Sequence, residues 1–218
     1  MARPRNEELF NTIKKTAYRQ LITYGYADTT YQSIASACGV TRTAVQNYYP
    51  TKNDLQMQFF SDLLTVTKQA VENEGIHQEN EFDFMLCIGE LTFLYLMQDA
   101  GTRKFLMEVS NSREMTEETL DFEFQWGISF LSTPLSVSEQ KFHDDVLVSM
   151  GGFYTILYSY LKDGKPFDTR THLGRVVRTI MHDYGYSYDD AKAFVETHHV
   201  TDTELAAVCE QIDIAMDL

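Results

Sequence analysis

Cysteine is scarce and badly placed for cross-links. The three in 218 residues, Cys38, Cys87 and Cys209, are odd in number and far apart, which excludes a disulfide framework and leaves reduced, mostly buried thiols as the expectation. Long hydrophobic runs are missing too. The longest uncharged stretch, 146–161, falls short of a membrane span and is interrupted by Gly151-Gly152 and by Ser and Thr. The N-terminus lacks the apolar core of a secretory signal. A cytoplasmic protein with no membrane association is therefore expected. No stretch alternates with period two, so strands are not expected. Repeats and low-complexity segments are absent. Enzyme motifs are missing as well: there is no G-x-S-x-G turn, no phosphate-binding glycine loop and no H-E-x-x-H. His143-Asp144-Asp145 and His198-His199 are the best metal candidates, but adjacent helical residues point in different directions and cannot share one ion comfortably. No catalytic residue, metal or cofactor is expected.

Basic residues are few as well. Eighteen Lys and Arg face 32 Asp and Glu, a net charge of −14, which by itself argues against a nucleic-acid partner. The distribution reverses that argument. Residues 1–55 hold seven basic and four acidic side chains, so +3, and the remainder holds 11 and 28, so −17. A mildly basic head on a strongly acidic body can present only its head to DNA.

That head contains the most informative stretch, Thr29 to Leu55. Tyr31, Ile34, Ala35 and Cys38 recur at helical spacing and give a short helix an inward face. Thr29 or Thr30 can cap it, and with Thr29 as the cap Gln32 completes a capping box. Gly39 stands where this helix must stop, since glycine tolerates the left-handed conformation there. Thr41 offers a second cap, and Val45 points inward from a second helix. Ala35 is small enough for two helices joined by so tight a turn to cross closely. The pattern is that of a helix-turn-helix.

Arg42, Thr43, Gln46 and Asn47 are left facing outward on the second helix. Arg matches the acceptor pair on guanine, Gln and Asn match adenine's donor–acceptor edge, and Thr can meet a thymine methyl. These four are the candidate base contacts. Thr51 caps the next helix with Asp54 as its acidic partner, which puts Lys52 in the first turn, where a cation opposes the helix dipole. A phosphate at that helix end would account for it. Thr30, Thr41 and Tyr48 complete the candidate phosphate contacts. Arg3 and Arg5 form a short basic arm ahead of the first helix.

The stretch resembles the DNA-binding domain of the TetR/AcrR family of transcriptional regulators. The shared pieces are Gly25-Tyr26, Thr29-Thr30, Ile34-Ala35, Gly39-Val40, Tyr48-Tyr49, Pro50 and Lys52-Asn53-Asp54-Leu55. The resemblance covers about the first quarter of the chain. It departs at Gln46, where many members carry tyrosine, and at Thr43, where many carry a smaller residue.

Beyond the head, apolar spacing predicts helices over 51–74, 82–99, 103–111, 114–131, 139–162, 169–184, 187–199 and 201–216. Asn6 caps a first helix that ends at Gly25, and the helix 82–99 is expected to end near Gly101. The fold class is all-α: a helix-turn-helix domain, 1–51, and a helical bundle, 52–218. The stretch 146–161 is apolar nearly all round and must be covered on most sides. The resemblance implies that 139–162 and 169–184 pair with their copies in a homodimer. A regulator of this kind also needs a pocket, and Phe122, Trp126, Met150 and Tyr154 are the candidate lining. The partners expected are double-stranded operator DNA of palindromic sequence, a small largely apolar effector and a second copy of the chain. The function expected is that of a ligand-responsive repressor, with an activator or a ligand-independent regulator of the same fold as alternatives. An all-α enzyme or a protein-binding adaptor ranks well below these.

Overall fold

The computed structural model describes residues 6–131 and 138–218, and among these every regular element is an α-helix. Arg3, Arg5, Thr133, Pro134 and Ser136 lie outside the described residues. The helices are α1 (Glu7–Tyr24), α2 (Tyr31–Cys38), α3 (Arg42–Tyr48), α4 (Lys52–Asn73), α5 (Glu81–Leu96), α6 (Ala100–Asn111), α7 (Arg113–Leu131), α8 (Glu139–Lys162), α9 (Thr169–Asp183), α10 (Tyr188–Thr197) and α11 (Asp202–Met216).

The head is built by α1 to α3 on the first turns of α4. Asn6 caps α1, its side chain accepting from Leu9 N at 3.0 Å. Ile13, Ala17 and Leu21 of α1 meet Ile34 and Ala35 of α2, Val45 of α3 and Leu55 of α4, all buried. Gly39 ends α2 in the left-handed region, φ 67°, and nothing would obstruct a side chain there. The constraint on that position is therefore the backbone conformation alone. One local detail differs from the sequence reading. Thr30, not Thr29, caps α2, and Ser33 returns the bond in place of Gln32. Thr29 is buried, its hydroxyl donating to Gly25 O at 2.8 Å.

The body is arranged around α5, whose Phe82, Leu86, Leu91 and Leu96 are almost wholly buried between α4, α6, α9 and α11. Helix α8 packs against α6, α7 and α9. The break between α5 and α6 falls earlier than expected. Arg103 Nη1 donates to Met97 O and Gln98 O at 2.7 Å each, which satisfies carbonyls that a longer α5 would have used itself. Gly101 consequently ends nothing. It sits in the first turn of α6 where α1 crosses, and a Cβ there would lie 2.0 Å from Ile22 O.

The terminal segment, 187–218, closes the body. Helix α10 lies on α9, where a Cβ at Gly174 would stand 2.6 Å from Val195 Cγ1. The fully buried Glu90 of α5 pins the following turn: it accepts from Val200 N at 3.1 Å and pairs with His199, and Arg170 Nε lies 4.0 Å away. Helix α11 runs along α4, with Asn73 donating to Gln211 at 2.9 Å and Tyr95 to Asp213 at 2.8 Å. At its end Asp217 pairs with Lys15 at 2.7 Å and Arg19 at 3.1 Å, both on α1.

Gly101→Ala tests the crossing of head and body. Backbone blocks the added methyl, so α1 and α6 must separate, and the expected cost is about 1–3 kcal/mol. Gly152→Ala, with nothing within 4 Å of the new Cβ, should leave the stability of the subunit unchanged or raise it by up to about 1 kcal/mol through helix propensity. Denaturant unfolding of both variants checks the contrast.

Candidate functional site

The helix-turn-helix presents α3 at the surface. Val45 is wholly buried and fixes the rotation of the helix. Arg42, Thr43 and Asn47 are then exposed and Gln46 is half-buried. Thr41 caps α3, accepting from Ala44 N at 3.2 Å, and its hydroxyl proton remains for an outside acceptor. Thr30 holds the equivalent position on α2 and is likewise exposed. The Tyr48 hydroxyl reaches the start of α1 and donates to Asn6 O at 3.1 Å.

Lys52 has partners inside the fold that the sequence did not reveal. Its ammonium donates to Tyr26 O and, at 3.2 Å, to Ala27 O, and it lies 4.1 Å from the centre of the Tyr26 ring. Burial pushes its pKa down, against the nearby Glu108 and Asp28. A lysine in this first turn is thus accounted for without a phosphate, although an ammonium has three N–H bonds and two carbonyls occupy two of them.

The body holds a cavity of about 140 Å³ that is partly open to solvent. Its wall is assembled from Phe60 and Leu64 of α4, Phe84, Met85, Ile88 and Phe93 of α5, Phe122 and Trp126 of α7, Phe142, Val146 and Met150 of α8, and Leu173, Val177 and Ile180 of α9. Phe84 and Trp126 stack, their ring centres 6.1 Å apart. Three of the four expected lining residues, Phe122, Trp126 and Met150, are on this wall. Tyr154 stands one layer behind it. Its ring packs edge-on against Phe93 and Phe153, and its hydroxyl donates to Glu123 Oε1 at 2.6 Å.

Glu123 also lines the cavity, as does Thr92 of α5. Burial raises the Glu123 carboxyl to about 7, partly offset by the Tyr154 hydrogen bond. Burial, with Glu123 beside it, drives the Tyr154 hydroxyl well above its ordinary value. The sequence did carry a signal for Glu123. It falls on the same helical face as Leu120, Phe124 and Gly127, where an acid is out of place.

The histidine clusters resolve into local contacts. His199 binds Glu90, His198 stacks on Phe194, and His143 lies 3.5 Å from Asp121. No group of three or more His, Cys, Asp or Glu among the described residues is placed to hold a metal ion. None of the described helices is long and apolar enough to cross a membrane. Cys87 and Cys209 are buried and Cys38 half-buried, all three free.

Residues 13–56, from the second turn of α1 into α4, match the family model described as bacterial regulatory proteins, tetR family. No curated protein and no solved structure matches the chain.

The Glu123 carboxyl makes stability depend on pH in a direction opposite to that of an ordinary paired acid. Its folded pKa, about 7, exceeds the ordinary value of 4.5, so between the two the folded state binds more protons. Stability is therefore lost as pH rises through this window, by on the order of 3 kcal/mol, and levels off above it. Glu123→Gln removes the titration. Urea unfolding should show the variant gaining on the parent by about 2 kcal/mol more near pH 8 than near pH 5. Equal gains at the two pH values would place the carboxyl in an ordinary environment.

Proposed function

We propose that this chain, which carries the DNA-binding domain of the TetR family, is a ligand-responsive transcriptional repressor that binds a palindromic operator as a homodimer. The supporting observation is the fixed rotation of α3: Val45 is locked into the head while Arg42, Thr43, Gln46 and Asn47 form the opposite face. In this reading residues 1–51 form the DNA-binding domain and 52–218 the ligand-binding and dimerisation domain, in a cytoplasmic protein. Arg42, Thr43, Gln46 and Asn47 enter the major groove. Thr30, Thr41, the third N–H of Lys52 and Tyr48, its hydroxyl turned from Asn6 O, meet the flanking phosphates. One helix of this length reads few bases, and a two-fold dimer doubles the half-site.

The dimer would form on α8 and α9. On α8, Leu147 and Val148 are exposed, Val148 by 71%, and Gly152 and Thr155 continue the same outer face. Of α9 only a polar flank with Thr171, Arg175 and His182 remains exposed, because α5, α8 and α10 cover the rest. The apolar part of the proposed interface is therefore on α8. The effector is a small, largely apolar molecule held in the cavity. Helix α4 lines that cavity with Phe60 and Leu64 and ends in the head at Lys52, so a ligand that shifts α4 changes the spacing of the two recognition helices. Release of the operator by the ligand makes repression the simplest output.

Two sets of variants separate the roles. In footprinting on the DNA upstream of its own gene, the protein should protect a near-symmetric site with affinity falling steeply as salt rises. Arg42→Ala, Gln46→Ala and Asn47→Ala should each relax preference at particular bases by about 1–3 kcal/mol, whereas Lys52→Ala should weaken all sites alike. An unchanged base preference in all three α3 variants would remove α3 from the groove. For the dimer, sedimentation of Val148→Glu should show monomer, because an unpaired charge would be buried. A persistent dimer would place the interface elsewhere.

A further inference from the structure

The cavity wall is apolar with two exceptions, and these carry atoms that nothing satisfies. Glu123 has one carboxylate oxygen, Oε1, bound by Tyr154, while its Oε2 is buried with no hydrogen-bond partner among the described residues. Thr92, 3% exposed, has its hydroxyl in the same condition. The two residues stand on different helices, α7 and α5, and both line one space, with these oxygens just under its surface. Buried polar atoms are almost always paired, and a carboxylate without its full set of donors is the most costly exception. Two such atoms beside one cavity form an acceptor pole.

We propose that this pole selects the ligand: an apolar molecule of about one aromatic ring that carries a single hydrogen-bond donor, a protonated amine, bound by Glu123 Oε2 and Thr92 Oγ1. The proposal rests on reading the cavity as the effector site. Size sets the ring count, since a cavity near 150 Å³ accommodates benzene. Phe84, Trp126 and Phe93 supply aromatic faces and edges for that ring. Charge sets the polar group. An ammonium gains a charge-assisted bond to the carboxylate and faces aromatic rings that favour cations. A carboxylate in the same place would meet Glu123 with like charge. Tyr154 is a positioning residue: by occupying Oε1 it leaves Oε2 without a donor, a small side-chain shift from the cavity.

Three compounds on one phenylethyl frame test this: 2-phenylethylamine, ethylbenzene and 3-phenylpropionate, titrated calorimetrically into the full-length protein. Near pH 8 the carboxyl is largely ionised and the amine protonated. The amine should bind about tenfold or more tighter than ethylbenzene, and the propionate about tenfold or more weaker. Glu123→Gln should abolish the amine's advantage while ethylbenzene affinity stays within about threefold. Thr92→Val, which removes only the hydroxyl, should reduce the advantage severalfold. Equal affinities for the amine and ethylbenzene in the parent protein would overturn the acceptor pole and leave the cavity as an apolar site. So would an advantage that survives both substitutions. If none of the three compounds bound, the effector reading of the cavity would itself fall, and the proposal with it.

Discussion

The placement of the head depends on the peptide segment Tyr26–Ala27, which is held by both of its polar edges. Glu108 of α6 accepts from both amides, at 2.7 and 3.1 Å, and Lys52 of α4 donates to both carbonyls. Backbone groups in such a tight connection have no helix or sheet to satisfy them, and here two charged side chains of opposite sign do so. Gly25, at φ 82°, makes the turn possible, and Lys104 closes over it, donating to Tyr24 O at 3.1 Å and pairing with Asp28. Because Glu108 and Lys52 belong to helices that continue into the body, the head is bolted to the body through its α1–α2 connection. The close crossing at Gly101 repeats that attachment a few residues earlier in α1.

The acidic body redistributes the charge of the head. Lys14 pairs with Asp62 of α4 at 2.9 Å, and Lys15 and Arg19 share Asp217 at the end of α11. These lysines and the arginine lie on the side of α1 that faces the body, so their charges are largely neutralised there. Arg42 stays exposed on α3. The terminal segment gains a role from the same contacts. Helix α11 lies along α4 and reaches α1, so it braces the helix that links cavity and head on its outer side.

Much of the fold was legible because helix punctuation is local. Asn6, Thr41 and Thr51 act as caps where the sequence placed them, and Gly25 and Gly39 end their helices. The misses have a common cause. Gly101 looked like a terminator because a glycine after an apolar run resembles one, but the need it meets is the distant carbonyl of Ile22. Lys52 looked unexplained on its own helix because its acceptors lie 25 and 26 residues earlier in the chain. Tyr154 was placed on the cavity wall as one of the large aromatic side chains of the body. Its hydroxyl instead found Glu123 of α7, and only three-dimensional proximity pairs those two. Local rules read caps, faces and the turn. They do not read contacts that close long loops.

Under the proposed function, helix α4 sets how a ligand can act. From Leu64 on the cavity wall to Lys52 in the head is 12 residues, roughly 18 Å of straight helix. A helix this short is rigid on the scale of the motion required, so displacement at Phe60 or Leu64 must appear at Lys52 or be absorbed by the contacts between them. Those contacts are tightly packed: Leu55 and Phe59 have no exposure, and Phe59 meets Tyr18 of α1 and Phe105 of α6 edge-on. A packed core of this kind transmits strain more readily than it absorbs it. The segment at the far end is held by Lys52 from α4 but by Glu108 from α6. A tilt of α4 relative to α6 therefore pulls the two edges of Tyr26–Ala27 in different directions. The head must then either follow α4 or give up a charge-assisted bond to α6. To favour the displaced state a hundredfold, a ligand needs a preference for it of about 2.7 kcal/mol, which is comparable to one such bond. In the proposed reading, the energy needed to switch the head and the energy that holds it in place are thus of the same size, which lets the switch be both firmly set and reversible.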